Sequence, residues 1–164
     1  MEKEIKILLV DDHKIIRDGI KLMLNKNPEI KIIAEAENGL EAIEFMNKNA
    51  NDIDVILMDI SMPFLDGISA TRAIKKSNKK VNVLILTMHL EQAYFNNVFD
   101  AGALGYVLKE SDRNEIVRAI KTVADNKKYI SEDVGLLINQ KKENFNYFLL
   151  LLRKINVFKP TICR

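Results

Sequence analysis

The most informative segment of this chain reads Val55-Ile56-Leu57-Met58-Asp59-Ile60-Ser61-Met62-Pro63-Phe64-Leu65-Asp66-Gly67. Four apolar residues lead directly into the carboxylate of Asp59, and Pro63 and Asp66-Gly67 then mark a loop. A short apolar run followed by turn residues predicts a strand that is buried on both faces. Asp59 should therefore lie at the carboxyl end of a central strand, where ligands bind in open parallel sheets. Burying an unpaired charge is costly, so this carboxylate needs a partner, a metal ion or a solvent-lined cleft.

The composition limits the class of protein. The chain has 164 residues, enough for one ordinary domain and a short appendage, and its hydrophobic fraction of 48% is usual for a soluble globular protein. Its apolar runs are much shorter than a membrane span, and the first residues show no secretory signal. The single cysteine, Cys163, excludes an internal disulfide and a cysteine-based metal site. We therefore expect a cytoplasmic protein without a membrane partner.

Apolar periodicity predicts strands that alternate with helices along the chain. The predicted strands are residues 5–10, 30–36, 54–58, 81–86 and 105–108, and the predicted helices are residues 13–26, a helix from Asn38, residues 68–76, residues 90–101 and a helix from Ser111. Strict β-α alternation is typical of a parallel sheet with helices on both faces. We therefore predict an α/β fold in which residues 1–126 form a doubly wound, five-stranded parallel sheet.

Helix caps are also predicted from the sequence. Asn38 followed by Glu41 forms a capping-box pattern, and Gly102 is a typical carboxyl-terminal cap. We expect Ser111 to cap the last helix, with Asp112 and Glu115 in its first turn, where negative charge complements the helix dipole.

The composition changes after residue 126. Residues 127–164 hold eight of the 25 Lys and Arg residues but only three of the 23 Asp and Glu residues. We interpret residues 127–164 as a linker followed by a short basic and apolar tail. Two interpretations of its charge are open: a solvated terminus, or a surface for nucleic acid or an acidic partner.

Polar side chains follow four of the predicted strands where each strand ends. They are Asp11-Asp12, Asp59, Thr87 and Lys109. These strand ends meet at one cleft in a doubly wound sheet, where three carboxylates repel each other unless a cation is present, and oxygen ligands favour Mg²⁺. Thr87 supplies a hydroxyl donor and Lys109 a mobile positive charge. This set matches phosphoryl transfer, in which positioning and charge neutralisation dominate, and Asp59 is the predicted acceptor.

Each of these residues also has a simpler interpretation. A single Asp at a strand end commonly caps a helix or forms a turn, a Lys there is commonly solvated, and Thr is a frequent strand residue. The functional interpretation depends on the combination, because all four positions fall at the same edge of one predicted sheet.

Several segments together resemble the receiver domain of bacterial two-component response regulators. They are Leu9-Val10-Asp11-Asp12-His13, Leu57-Met58-Asp59-Ile60-Ser61-Met62-Pro63, Asp66-Gly67, Leu86-Thr87-Met88-His89 and Ala101-Gly102-Ala103-Leu104-Gly105-Tyr106-Val107-Leu108-Lys109. The resemblance covers about residues 4–126 in the family's order and spacing, and it implies a flavodoxin-like fold with strand order 2-1-3-4-5. Arg17-Asp18-Gly19, Thr87-Met88-His89 and Tyr129-Ile130-Ser131 are most similar to the NarL/FixJ branch, whose members usually carry a LuxR-type helix-turn-helix.

The resemblance implies a role for each residue that matches the acceptor and metal positions. Asp59 corresponds to the phosphoacceptor. Asp11 and Asp12 correspond to the acidic pair that binds Mg²⁺ together with Asp59, and Ser61 corresponds to the position whose backbone carbonyl ligates the ion. The implied phosphoryl donor is a sensor histidine kinase.

Other matching residues are implied to read or tune the phosphoryl group. Thr87 corresponds to the switch hydroxyl, Lys109 to the lysine that contacts the phosphoryl group, and Tyr106 to the aromatic residue that rotates inward on activation. Ser61 and His89 flank the expected cleft and are predicted to tune the lifetime of the phosphoryl group by admitting or excluding water.

The predicted fourth helix contains more apolar surface than one inward face needs, from Tyr94, Phe95, Val98 and Phe99. One interpretation is a homodimer or partner surface formed by the fourth helix, the fifth strand and the fifth helix. The other is a helix packed between the sheet and the tail, and both remain open.

The output of this chain is the least determined part of its function. A LuxR-type output domain needs more residues than the 33 that follow Ser131, and residues 152–159 only faintly resemble its first helix. We expect the tail to be a remnant of that domain, and DNA to be a partner only of a complete output domain. Two alternatives are a DNA-binding regulator whose tail contributes to binding, and a hydrolase with an aspartyl-phosphate intermediate. Ser61 argues against the hydrolase, which usually has an acid at that position.

Overall fold

The computed structural model describes residues 4–49, 51–88, 92–132, 134–136 and 139–140. The chain divides into two compact units, Met1–Ser131 and Glu132–Arg164. The helices and strands given below all belong to the first unit. Predictions for His89 and for the tail beyond residue 140 lie outside the described residues.

A parallel sheet forms the centre of the first unit. Its strands are β1 (Ile5–Val10), β2 (Ile30–Ala36), β3 (Val55–Met58), β4 (Asn82–Thr87), β5 (Gly105–Leu108) and β6 (Tyr129–Ile130). Their order is β2-β1-β3-β4-β5-β6, and every neighbouring pair is parallel. The predicted fold class and the order 2-1-3-4-5 are therefore confirmed.

A sixth strand extends the predicted five-stranded sheet. Tyr129–Ile130 pairs with β5, and the backbone N–H of Tyr129 donates to the carbonyl of Leu104 at 2.9 Å. The sequence predicts this segment to be part of a linker. Two residues are too few to show the alternation by which a strand is identified, so only the hydrogen bonds reveal it.

Helices connect consecutive strands from β1 to β5, and a fifth helix follows β5. They are α1 (Lys14–Leu24), α2 (Gly39–Lys48), α3 (Gly67–Ser77), α4 (Gln92–Asp100) and α5 (Arg113–Ala124). Asn38 caps α2 as predicted, because its side chain accepts from the N–H of Glu41 at 3.0 Å. The prediction that Ser111 caps α5 is wrong: Asp112 takes that place and accepts from the N–H of Glu115. None of the described helices combines the length and apolar character needed to cross a membrane.

The strands β3, β4 and β5 are buried on both faces of the sheet. On one face, strand residues such as Leu9, Leu57, Leu84 and Val107 pack in a single core cluster with residues of α1 and α5. Their neighbours along the strands, such as Met58 and Ile85, are also buried and point to the opposite face. On that face α2 contacts α3, and α3 contacts α4. Two covered faces leave only the ends of the strands open to a ligand.

Candidate functional site

The sheet register brings together the residues that follow β1, β3, β4 and β5. Val10 is paired with Met58, and the N–H of Asp59 donates to the carbonyl of Val10 at 2.9 Å. On the other side, the N–H of Lys109 donates to the carbonyl of Thr87 at 2.8 Å. The predicted convergence of these strand ends is therefore present as a single edge of the sheet.

At this edge one lysine lies between two buried carboxylates. Lys109 Nζ is 2.5 Å from Asp11 Oδ2 and 2.9 Å from Asp59 Oδ2, and these side chains are only 5%, 1% and 4% exposed. The other oxygens accept backbone hydrogen bonds, Asp59 Oδ1 from Ile60 and Asp11 Oδ1 from His13, each at 2.8 Å. We call Asp11, Asp59 and Lys109 the charge triad. When ionised, it has one negative charge that no side chain within it neutralises.

The environment of Asp59 favours its neutral form. Burial raises the pKa of this carboxyl above its usual value. The hydrogen bond and positive charge of Lys109 oppose that rise only in part, and the negative charge of Asp11 adds to it. A carboxylate held this way gains stability from any additional cation that reaches the cleft.

The acidic pair has the chemistry of a hard-cation site. Ligand atoms of Asp11, Asp12 and His13 lie within 4.8 Å of one another. Asp11 Oδ2 and Asp12 Oδ1 are buried, and their close contacts among the described residues are the ion pairs to Lys109 and, at 2.8 Å, to His13 Nδ1. Oxygen atoms with free lone pairs suit Mg²⁺, which prefers carboxylates and water. The residues present therefore fit the predicted ion.

A cleft of about 320 Å³ opens over the charge triad. Its walls are formed by His13, Ile16, Asp59, Ser61, Thr87, Met88, Tyr94 and Lys109. The structure thus places Ser61 and Thr87 beside the same space as Asp59, whereas His89 lies outside the described residues. Sequence reasoning did not find the apolar walls formed by Ile16, Met88 and Tyr94. Apolar residues on helices and strand ends look like ordinary core residues, so no sequence signal distinguishes them.

Tyr106 lies inside the protein rather than at its surface. It is fully buried on β5, and its ring centre is 5.6 Å from that of Phe95 on α4. Phe95 in turn contacts Phe99 at 5.0 Å between ring centres. Tyr106 therefore connects β5 to the aromatic side of α4.

The loop after β3 is held close to the backbone of Asp59. The N–H of Gly67 donates to the carbonyl of Ile60 at 2.9 Å. A Cβ atom on Gly67 would lie only 1.9 Å from the carbonyl oxygen of Asp59. Glycine is therefore required here by space, and the Asp66-Gly67 pair does more than form a turn.

Sequence reasoning also missed a contribution from Arg17, a buried residue of α1. Its Nη1 donates to the carbonyl oxygen of Asp11 at 2.7 Å. From the sequence, Arg17 is only part of a motif similar to the NarL/FixJ branch. A lone arginine in a helical pattern is usually solvated, so its burial could not be predicted from spacing.

Comparison with known proteins agrees with this geometry. The model of the response regulator receiver domain family matches residues 7–121. The response regulator UvrY of Escherichia coli K12 is 41% identical over 131 residues, which are 80% of this chain and 59% of UvrY. The transcriptional regulatory protein DegU of Brevibacillus brevis is 40% identical over 133 residues, 81% of this chain and 56% of DegU. The chain thus spans less than two thirds of the length of these curated relatives.

Solved structures show the same relationship. A LuxR-family two-component response regulator from Aurantimonas superimposes with a TM-score of 0.79 at 34% identity, covering 85% of this chain and 99% of that one. The isolated receiver domain of RcsB from Salmonella enterica gives a TM-score of 0.74 at 28% identity, with 82% and 99% covered. The chain belongs to the response regulator receiver family. Its relatives are NarL/LuxR-family response regulators, which are regulatory proteins rather than classical enzymes.

Gly67→Ala tests the close approach of the loop to Asp59. We expect it to lower the free energy of unfolding by about 3 kcal/mol, because the added methyl group collides with a backbone oxygen that cannot easily move. Gly19→Ala is the matched control: apart from its own helix backbone and chain neighbours, no atom of the described residues lies within 4 Å of the added Cβ. It should stabilise the exposed face of α1 by about 0.5–1 kcal/mol. Urea unfolding measures both. Equal effects of the two substitutions on the free energy of unfolding would contradict the close approach of Gly67 to the carbonyl oxygen of Asp59.

Lys109→Met tests the charge triad in Mg²⁺-free buffer. At about pH 7 we expect the free energy of unfolding to fall by about 3–5 kcal/mol, because two buried carboxylates lose their shared cation. The loss should shrink towards pH 5. The pKa of Asp59 in the folded protein is already raised, and it should rise further without Lys109. Protonation of Asp59 therefore stabilises the folded variant at low pH. This stabilisation disappears as the pH rises through the pKa of the folded state.

The control for this experiment is Lys48→Met, which breaks an exposed ion pair with Glu44. It should change the free energy of unfolding by less than about 0.5 kcal/mol at both pH values. A loss in Lys109→Met that does not depend on pH, or that is as small as in the control, rules out the charge triad as a buried ionic unit.

Proposed function

We propose that residues 1–126 are the receiver domain of a two-component response regulator, and that Asp59 accepts the phosphoryl group. The observation that carries this proposal is the position of Asp59, which is buried at the floor of a cleft and 2.9 Å from the single lysine of the charge triad. A buried carboxylate with a neighbouring cation and an open face can act as a nucleophile towards phosphorus. Membership of the receiver family supports the same chemistry.

In the proposed reaction a carboxylate oxygen of Asp59 forms a bond to phosphorus while the bond between phosphorus and the donor atom breaks. The product is an acyl phosphate on Asp59. Lys109 is positioned to offer its charge to a phosphoryl oxygen, and Thr87 lines the cleft on the neighbouring strand, where its hydroxyl is available as a donor. In phosphoryl transfer such positioning and charge compensation supply most of the catalysis.

We assign the Mg²⁺ ligands to Asp11, Asp12, Asp59 and the backbone carbonyl of Ser61. When bound there, Mg²⁺ supplies neutralising charge for the phosphoryl oxygens. The assignment is supported by the buried oxygens Asp11 Oδ2 and Asp12 Oδ1, whose close contacts among the described residues are ion pairs. In this scheme the residual negative charge of the charge triad is what attracts the ion.

The proposed output is a shift between two conformations that Thr87, Lys109 and Tyr106 couple to the phosphoryl group. Movement of Thr87 and Lys109 towards the new charge would disturb the contact between Tyr106 and Phe95, and so displace α4. Ser61 and His89 are proposed to tune the lifetime of the phosphoryl group. The surface formed by α4, β5 and α5 is the proposed homodimer face.

The wider assignments follow from the proposed class. A sensor histidine kinase is the phosphoryl donor, and the cytoplasm is the compartment. Residues 127–164 are proposed to be a linker followed by a basic and apolar segment, and DNA is proposed as a partner only of a complete output domain. The hydrolase alternative is not favoured, because Ser61 occupies the cleft position where a second acid would be needed.

Labelling by acetyl phosphate tests the proposal. Wild-type protein with Mg²⁺ should become phosphorylated, and Asp59→Asn should lose the label because an amide is not a nucleophile of this kind. Phosphate-affinity electrophoresis measures the fraction labelled. Removing Mg²⁺ with a chelator should abolish labelling of the wild type.

Asp66→Asn is the matched control, because Asp66 is an exposed carboxylate in the same loop and an asparagine can replace it as the cap of α3. We expect it to label like the wild type. If Asp59→Asn labels as strongly as Asp66→Asn, Asp59 is not the acceptor.

A further inference from the structure

Arg17 is a charged side chain outside the charge triad that is held by several partners. It is buried, and its guanidinium donates in three directions: Nη1 to the carbonyl oxygen of Asp11 at 2.7 Å, Nε to Glu35 at 2.9 Å and Nη2 to Glu37 at 2.8 Å. Glu35 lies on β2, and Glu37 follows that strand. A single side chain of α1 thus connects the end of β1 with the end of β2.

The charge of Arg17 is compensated by two glutamates. Burial works to lower its pKa, but the hydrogen bonds and charges of Glu35 and Glu37 more than offset this, so the pKa lies above its usual value. Lys21 binds Glu35 as well, at 2.7 Å, and Asp18 at 2.8 Å. Glu35 therefore has a second cation, and the bond from Arg17 to the neutral carbonyl of Asp11 is not needed to balance charge.

That bond is made to the main chain of the acidic pair. The carbonyl of Asp11 belongs to the peptide group that joins Asp11 to Asp12, so holding it fixes where the main chain of Asp12 leaves β1. The N–H of Asp11 is held on its other side by the carbonyl of Ala36 at 3.1 Å, and Asp11 Oδ1 accepts from His13. Arg17 adds a third hydrogen bond to this support, at the carbonyl of Asp11.

We propose that Arg17 is a positioning residue that holds the Asp11-Asp12 peptide group so that both carboxylates are directed at the metal site. The proposal rests on the proposed function, because it concerns the same acidic pair. Mg²⁺ requires nearly ideal octahedral geometry, so a small rotation of this peptide group reduces affinity without unfolding the protein. Groups that orient ligands in this way commonly change metal affinity by about 10–100-fold.

A merely structural role predicts a different result. If Arg17 only joined α1 to β2, its loss would lower stability and leave the folded protein with unchanged Mg²⁺ affinity. Lys21→Met separates the two roles, because it removes ion pairs to Glu35 and Asp18 in the same network but has no bond to Asp11. Affinity for Mg²⁺ and free energy of unfolding must therefore be measured on each variant.

The experiment is calorimetric titration of the full, metal-stripped chain with MgCl₂, with urea unfolding run in parallel. Arg17→Met should raise the dissociation constant for Mg²⁺ by about tenfold, whereas Lys21→Met should leave it at the wild-type value. Arg17→Lys keeps the positive charge, but a single ammonium group cannot make the three hydrogen bonds of the planar guanidinium in the same geometry. It should therefore fold and show an intermediate dissociation constant, and it provides the decisive measurement if Arg17→Met does not fold.

The proposal is overturned if Arg17→Met or Arg17→Lys binds Mg²⁺ as tightly as the wild type, or if Lys21→Met weakens binding as much as Arg17→Met. A different result would show that the proposed function is wrong. If wild-type protein binds no Mg²⁺ and is not labelled at Asp59, both the proposed function and the role of Arg17 are overturned. A wild type that labels at Asp59 beside an Arg17 variant with unchanged affinity overturns only the role of Arg17.

Discussion

The site depends on one electrostatic constraint, which is that two buried carboxylates share one lysine. Asp11 and Asp59 both contact Lys109, and all three are almost completely buried. Such a group is expensive to desolvate and cannot be fully balanced by one cation. This desolvation cost explains two properties of the cleft. The residual negative charge of the charge triad favours binding of a hard cation, and either a cation or a chemical modification of the Asp59 carboxylate would reduce the electrostatic cost of burying it.

The fold holds this unfavourable group in place through backbone contacts rather than side-chain packing alone. Parallel register places Asp59 beside the end of β1 and Lys109 beside the end of β4. Gly67 lets the next loop approach the carbonyl of Asp59, and Arg17 holds the carbonyl of Asp11. Each of these supports acts on the main chain, so the carboxylates keep their positions although electrostatics alone would separate them.

The sheet and the positions of the site residues could be predicted because they follow from periodicity and parallel topology. Asp59 ends a strand that is apolar on both faces, and the carboxyl ends of parallel strands meet at one edge. The bridge from Lys109 to two aspartates could not be predicted, because it depends on side-chain geometry across distant segments. The burial of Arg17 could not be predicted because its spacing is that of a solvated helix residue. Strand β6 is too short to show a period. Asp112 and the adjacent Ser111 are equally good helix caps, so the sequence does not distinguish them.

The central claim is that the charge triad makes Asp59, and not its acidic neighbours, the phosphoryl acceptor. The most direct measurement is to phosphorylate the full chain with acetyl phosphate and Mg²⁺, reduce it with borohydride and map the peptides by mass spectrometry. Reduction of an aspartyl phosphate yields homoserine, which marks the acceptor position. The account predicts homoserine at position 59 alone. Homoserine at position 11 or 12, with Asp59 unchanged, would contradict it.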